Sequence, residues 1–385
     1  MRKLEDYLQL VRKPNKDLIT DTLVGVDINK TLINKEKGKK VDPRLLQIVE
    51  KGFFVMSGMS TGRDKRISVA LYMGNKPICT SHSGRYYVFK INNPDLKAEY
   101  LNLLFKSEKM DKAGVYFSGT GCRGDLEWKK FIQIPIYTPH LKLQENIVCK
   151  YQTVTKYIEV KKKINELLER QMTAYFHLLF DNLANYQTKS FGELFRVIRG
   201  ERPPRSNKYL EKLYFCEGGG TPFLQVRDVT KQDFKFISET REQLTPEGFK
   251  KGNCSIVSPN DLIFIQNASI KRIGKIYVCS EYLTINSNFL AFSSQGANLQ
   301  LPITFIYFLI RENIWALHRL INMSTATKAF DLRRFKAFKV KIPKNKELIN
   351  KFNNFCEPIF ELQKNNEQII QKLLRLQKCW VESLD

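Results

Sequence analysis

Histidine is scarce in this chain, with four residues (His82, His140, His177 and His318) standing far apart in the 385. Cys79, Cys122, Cys149, Cys216, Cys254, Cys279, Cys356 and Cys379 are scattered, without a C-x-x-C pair or a neighbouring histidine ligand set. That excludes the common zinc modules, and the thiols are expected to be reduced and mostly buried. Long apolar runs are missing too. The longest, at 301–310, stops at Arg311, far short of the roughly 20 residues that a membrane span needs. The opening MRKLEDYLQLVRK has no apolar core of signal-peptide length. No membrane partner is expected, and the cytoplasm is the expected compartment. Acidic residues are outnumbered, 39 Asp plus Glu against 63 Lys plus Arg, for a net charge of +24. A field of that sign favours phosphate backbones or anionic membrane surfaces, and the short apolar runs make the membrane the weaker option.

Gly and Pro are absent from 141–180, LKLQENIVCKYQTVTKYIEVKKKINELLERQMTAYFHLLF. Its apolar residues fall on two seven-residue series. One holds Ile147, Val154, Leu168 and Tyr175 and is interrupted at Lys161; the other holds Tyr151, Ile158, Met172 and Leu179 and is interrupted at Asn165. A seam of that period lets a long helix lie along another. The C-terminus supplies a second pair of series: Phe352, Ile359, Leu373 and Trp380, and Phe355, Leu362, Ile369 and Leu376, with Asn366 as the polar member. The polar breaks near the middle of both seams place Lys161, Asn165 and Asn366 at similar heights, where polar seam residues set register.

The stretches between the helices repeat. FGELFRVIRGER at 191–202 matches LEDYLQLVRKPNK at 4–16, and TPFLQVRDVTK at 221–231 matches DTLVGVDINK at 21–30. NDLIFIQ at 260–266 matches KGFFVMS at 51–57, and RIGKIYV at 272–278 matches RISVALY at 66–72. SGTGCRGDL at 118–126 with IQIP at 132–135 matches STATKAFDL at 324–332 with VKIP at 340–343; this pairs Asp125 with Asp331. Strands are expected at 23–28, 53–56, 67–73 and 86–91, a helix at 96–105, and a solvated lysine-rich loop at 34–40. The expected architecture is α+β. Two tandem-repeated globular domains, 1–140 and 183–345, are separated by a pair of long antiparallel coiled-coil helices, 141–182 and 346–385, in a pseudo-twofold arrangement. Two similar basic domains at a fixed separation suit a duplex read at two places.

No active site is expected. Gly119, Gly121 and Gly124 form a lone G-x-G-x-x-G, but a dinucleotide site needs a full helix after it and an acidic residue about 20 positions on. The internal copy STATKAF has none of these glycines, so a turn or DNA-facing loop is the better reading. Pro94, Asp95 and Lys97 resemble a nuclease fragment with only Asp64 nearby as a second ligand. Gly218, Gly219 and Gly220 read as a turn feeding a strand. No cofactor or metal is implied. The DNA-binding candidates are Arg63, Lys65, Arg66, Arg85 and Arg123 in the first half, and Arg202, Arg205, Lys271, Arg272, Lys328, Arg333 and Arg334 in the second. Gln266 and Asn267 could read adenine. The seam residues are Ile147, Tyr151, Val154, Ile158, Asn165, Leu168, Phe352, Phe355, Ile359, Leu362, Asn366, Ile369, Leu373 and Leu376. A nucleic-acid-acting enzyme and a coiled-coil scaffold that binds only proteins remain the alternatives.

With these motifs in place, the chain resembles a specificity subunit of a Type I restriction-modification system over essentially its whole length. The resemblance is carried by the strand ending in Ile134-Pro135, LKLQENI at 141–147, GGGTPFLQVRDV at 218–229 and the matched ending at Ile342-Pro343. It departs from the pattern where KNKELINKF at 344–352 lacks the Gln-rich turn of the first copy. The resemblance implies a non-catalytic subunit with two target-recognition domains, each binding one half of a split double-stranded DNA sequence. It implies as partners two copies of a modification (methyltransferase) subunit and restriction (endonuclease/translocase) subunits.

Overall fold

The computed structural model describes residues 2–35, 42–81, 85–230, 234–293, 299–322 and 328–384; most of the lysine-rich loop, His82 and residues 324–327 of the second closing stretch lie outside them. Two units separate by their contacts: Met1–Glu159 with Gln371–Asp385, and Val160–Ile370.

Among the described residues the first unit holds eight strands: β1 (Leu8–Val11), β2 (Leu23–Val26), β3 (Leu32–Asn34), β4 (Gln47–Val49), β5 (Phe54–Ser57), β6 (Ser68–Leu71), β7 (Ile78–Thr80) and β8 (Tyr86–Ile91). They form two sheets, β1-β8-β5-β6 and β3-β2-β7-β4, with β2 and β7 parallel. Alternation decides the faces. Phe54 and Met56 join a core under the helices α1 (Ala98–Leu104) and α2 (Glu108–Phe117), whereas Val55 joins a smaller core with Val24, Val26 and Ile78. Phe54 stacks on Phe89 at 5.0 Å between ring centroids.

The second unit repeats this plan strand for strand: β9 (Arg196–Arg199), β10 (Thr221–Leu224), β11 (Glu242–Leu244), β12 (Ile256–Val257), β13 (Leu262–Ile265), β14 (Ile276–Cys279), β15 (Leu283–Ile285) and β16 (Phe289–Ser293). Its sheets run β9-β16-β13-β14 and β11-β10-β15-β12, each extended by one short strand, Phe236–Ile237 beyond β14 and Phe215–Cys216 beyond β11. Here β10 and β15 are the parallel pair.

The structure also corrects the residue-level matching of the repeat. Leu262 and Phe264 face the helix-side core and Ile263 and Ile265 the other, so Phe54 corresponds to Leu262. Matching NDLIFIQ to KGFFVMS pairs it with Ile263 and turns every side chain to the wrong sheet face, as a one-residue slip must. The closing stretch slips as well. Leu126 N donates to Gly58 O and Phe330 N to Gln266 O, at 2.7 and 3.0 Å, just beyond β5 and β13. Leu126 therefore corresponds to Phe330, and Asp331 stands at the place of Glu127 rather than of Asp125. In both units the closing segment pairs with the opening one. Leu4 N donates to Ile134 O, and strand Lys339–Pro343 runs antiparallel to Tyr186–Ser190.

Two long helices complete the chain, α3 (Leu141–Phe180) and, after α4 (Ile303–Glu312), α5 (Lys346–Glu382). In the first unit Gln377 Nε2 donates to Thr155 Oγ1 at 2.7 Å. In the second, Lys161 Nζ donates to Asn366 Oδ1 and Asn366 Nδ2 to Asn165 Oδ1, both at 2.8 Å, and Tyr175 meets the Phe355 ring at 4.6 Å. Rising numbers on one helix meet falling numbers on the other, an antiparallel pairing. Ile158, Phe352 and Asn366 are buried, and Ile147, Tyr151, Val154, Asn165, Leu168, Phe355, Ile359, Ile369 and Leu373 are half-buried. Leu362 and Leu376 do not belong to the seam: they are 45% and 40% exposed, and their neighbours Gln363 and Gln377 take the buried positions. Both glutamines bond main-chain carbonyls of the facing helix, which satisfies the polar groups that burial would otherwise strand.

Candidate nucleic-acid interface

Each unit opens a cleft where the ends of its two central strands meet the closing loop. In the first unit a cleft of about 700 Å³ is lined by Arg85, Tyr87, Arg123, Asp125 and Trp128 with the backbone of the 119–126 loop. Asp125 organises it. One carboxylate oxygen accepts Ser60 N at 2.8 Å, and the other pairs with the Arg85 guanidinium. The short helix Thr61–Asp64 is held against the loop by Gly62 N donating to Gly124 O and Arg63 N to Arg123 O. Arg63, Arg85 and Arg123 are thus gathered around one loop.

The glycines of that loop serve the close approach. Gly124 has φ +56°, and a Cβ there would sit 2.7 Å from Gly62 Cα. Only a residue without a side chain tolerates both. No full helix follows, since the next helical element is the four-residue Trp128–Phe131. This is the turn reading of the G-x-G-x-x-G stretch. The triple glycine is likewise a turn into β10, with Gly219 at φ +78°.

In the second unit a cleft of about 560 Å³ is lined by Arg199, Gln266, Asn267, Ser287, Asp331 and Arg333. Gln266 Nε2 donates to Ser287 O at 2.9 Å, and Asn267 Oδ1 has no hydrogen-bond partner among the described residues. Asp331 caps the helix Leu332–Ala337 by accepting Arg333 N and Arg334 N at 2.9 and 3.1 Å. The N–H groups of Arg334 and Arg333 hold its carboxyl below the usual range. The Arg333 and Arg334 side chains are exposed at this rim.

The remaining candidates fall elsewhere. Lys65 is exposed at a left-handed turn, φ +54°. Arg66 lines a different cleft of the first unit, beside Lys30, Lys106 and Glu382. Arg202 is exposed beyond β9, and Lys271 and Arg272 sit on an exposed turn. Lys328 is half-buried in a strand paired with Ala268. Arg205 is clamped by Glu242 and Glu211, which raise its pKa, and lies 4.4 Å from the Phe215 ring. Asp64 pairs with Arg63 and Asp95 with Arg2. Sequence reasoning missed Arg199, although the match of 191–202 to 4–16 sets it opposite Arg12; Arg199 is the last residue of β9 and Arg12 the first after β1. The thiols differ from expectation: Cys79, Cys254, Cys279 and Cys356 are buried, and Cys122, Cys149 and Cys379 are exposed. Among the described residues no helix is long and apolar enough to cross a membrane.

A family described as "Type I restriction modification DNA specificity domain" matches residues 184–377. A curated relative, the Type I restriction enzyme MjaIX specificity subunit of Methanocaldococcus jannaschii, is 20% identical over 335 residues, covering 81% of this chain and 73% of its own length. Among solved structures, the S subunit of a Type I restriction-modification system from M. genitalium superposes with a TM-score of 0.58 at 14% identity, covering 100% of this chain and 95% of its own. That likeness shows the fold.

Proposed function

Because the chain belongs to the family of Type I restriction-modification DNA specificity domains, we propose that it is the subunit that reads a split duplex target, one half in each cleft. The observation that carries this reading is the pair of clefts. Two units of the same strand order open at the same strand ends, and each is rimmed by arginines, Arg85 and Arg123 on loops in the first and Arg199 at the end of β9 with Arg333 in the helix Leu332–Ala337 in the second. Arg side chains there can neutralise phosphates or reach guanine edges, and Gln266 and Asn267 can pair with adenine. The recognition parts are residues 1–140 and 183–345, and the chain itself performs no chemistry. It directs two methyltransferase subunits and the endonuclease subunits to the site, in the cytoplasm.

Mapping methylated bases in cells carrying this chain with its modification partner tests the proposal. A two-part motif with a fixed gap is expected. Replacing residues 1–140 by those of another family member should change one half of that motif and leave the other intact. A chimera that alters both halves at random would remove the one-unit, one-half assignment. Methylation or cleavage by the isolated chain would favour an enzyme, and DNA binding without sequence preference would favour a scaffold.

A further inference from the structure

Trp315 is 81% exposed, on the short helix Ile314–His318 of the second unit. An indole so exposed is unusual, because tryptophan is highly buried on average. Its surroundings are basic. The turn at 269–275 packs against this helix at Gly274, where a Cβ would lie 2.9 Å from Ile314 Cδ1 and 2.8 Å from His318 Nε2. The turn carries Ile270, 53% exposed, with Lys271 and Arg272 exposed beside it, and Arg319 is exposed on the helix side. Neither 269–275 nor 313–322 contains an Asp or Glu. The patch also shares a strand pair with the cleft. Asn267 and Ala268 pair with Ala329 and Lys328, and Asn267 and Ala329 line the cleft itself.

We infer that Trp315, flanked by Lys271, Arg272 and Arg319, is a DNA contact of the second unit that wedges against the bases next to the base-reading cleft and deforms the duplex there. The inference rests on the DNA-reading function and adds a device to it. The carboxylate next along, Glu312, is already engaged by His177 and Arg311, and a cluster of exposed cations favours a phosphate backbone over an apolar protein groove. An exposed aromatic set among them stacks on bases or pries a step apart, and the cations hold the flanking phosphates. The first unit differs at the matching place, although its α2 carries an exposed aromatic of its own, Tyr116 at 84%. There α2 turns Asp111 toward the turn, where it accepts Ile67 N at 3.0 Å and pairs with Lys30 at 2.7 Å.

The test uses the full chain with its modification partner and a duplex of the mapped target, labelled with a donor and an acceptor dye at its ends. Wild type should raise energy transfer on binding. Trp315→Ala should bind roughly tenfold more weakly, the weight of one lost stacking contact, with most of the transfer change gone. Trp315→Phe should retain most of both. The half-site bases methylated should stay the same. Unchanged affinity and transfer in Trp315→Ala would overturn the inference while leaving the reading function intact. Loss of the modification partner on co-purification, with DNA affinity unchanged, would overturn it in favour of a protein interface. Absence of sequence-selective binding by wild type would remove the reading function and the inference with it.

Discussion

The two long helices enter their units by opposite chemistry at the same place. The fourth residue of α3 is Gln144, fully buried: its amide donates to Asp95 O and Pro139 O, at 2.8 and 2.7 Å, and its oxygen accepts Lys97 N at 2.9 Å. The fourth residue of α5 is Ile349, 2% exposed within the core that holds Phe305, Phe308 and Phe352. A second contrast lies deeper in each unit. An offset of 205 that carries the buried Tyr100, Leu101, Leu104 and Phe105 onto Phe305, Ile306, Leu309 and Ile310 also carries Lys106 onto Arg311 and, along the long helices, Glu169 onto Leu374. In the second unit Glu169 pairs with Arg311 and with Lys235 at 2.9 Å, and Tyr307 Oη donates to it at 2.9 Å. In the first unit the cleft beside Lys106 is lined by Leu374 instead. One strand plan therefore accepts a polar staple, an apolar plug or a buried ion network against its helices, provided every buried polar group is answered.

Glu169→Leu, which copies the first unit into the second, should break this contrast most severely. It leaves Lys235 and Arg311 without their carboxylate and should cost about 3–5 kcal/mol, measured as a lowered urea midpoint. Gln144→Leu should follow at about 2–4 kcal/mol, because three main-chain groups lose their partners, and Ile349→Ala should fall in a similar range through the cavity it opens. If Gln144→Leu were neutral, the amide would be a passenger and the junctions would not differ in kind.

Acidity sharpens the comparison. Burial pushes Glu367 up to about 7 from 4.5, against the Lys235 and Phe236 N–H groups that its carboxylate accepts. The folded chain then holds a proton that the unfolded chain has released. Stability from this group is complete below about pH 4.5 and declines as pH rises through about 7. Burial lowers Lys235 to about 8 from 10.5, so its contribution changes in the opposite sense and stability climbs between those values. Glu367→Gln should flatten the lower slope in unfolding measured against pH, and an unchanged slope would assign it to other groups. The smallest effect is expected from Leu374→Glu, within about 1 kcal/mol, since the side chain is half-buried at an open cleft.

The helices were legible because a seven-residue period survives any choice of residues, and α3 spans the stretch 141–180 that lacks Gly and Pro. Leu362 and Leu376 were not, because a heptad series fixes spacing without saying which neighbour points at the partner. The correspondence of the two units followed from the repeat, but the sheet order was not read, and of the first unit's strands only β2, β5, β6 and β8 were expected. The register within the repeat did not follow, since apolar types repeat on both faces of a buried strand and cannot reveal a slip of one. For the same reason Asp331 was set opposite Asp125 when hydrogen bonds set it opposite Glu127. At the clefts, residue type singled out Arg85, Arg123 and Arg333. Arg205 has the same type but meets two carboxylates, the nearby Glu211 and, brought by the fold, Glu242 of β11.

In each unit the segments that open and close the globular part lie side by side. Arg2 O accepts Ile136 N at 3.0 Å in the first, and Tyr186 stands opposite Pro343 in the second. A segment whose two ends are already side by side behaves as a cassette. It can be cut at that junction and another loop-bearing fold set in its place, provided the replacement also keeps the groups that meet the helices, as Asp95 and Lys97 meet Gln144. New specificities can thus be acquired by exchange of whole halves, without waiting for one loop residue at a time to change.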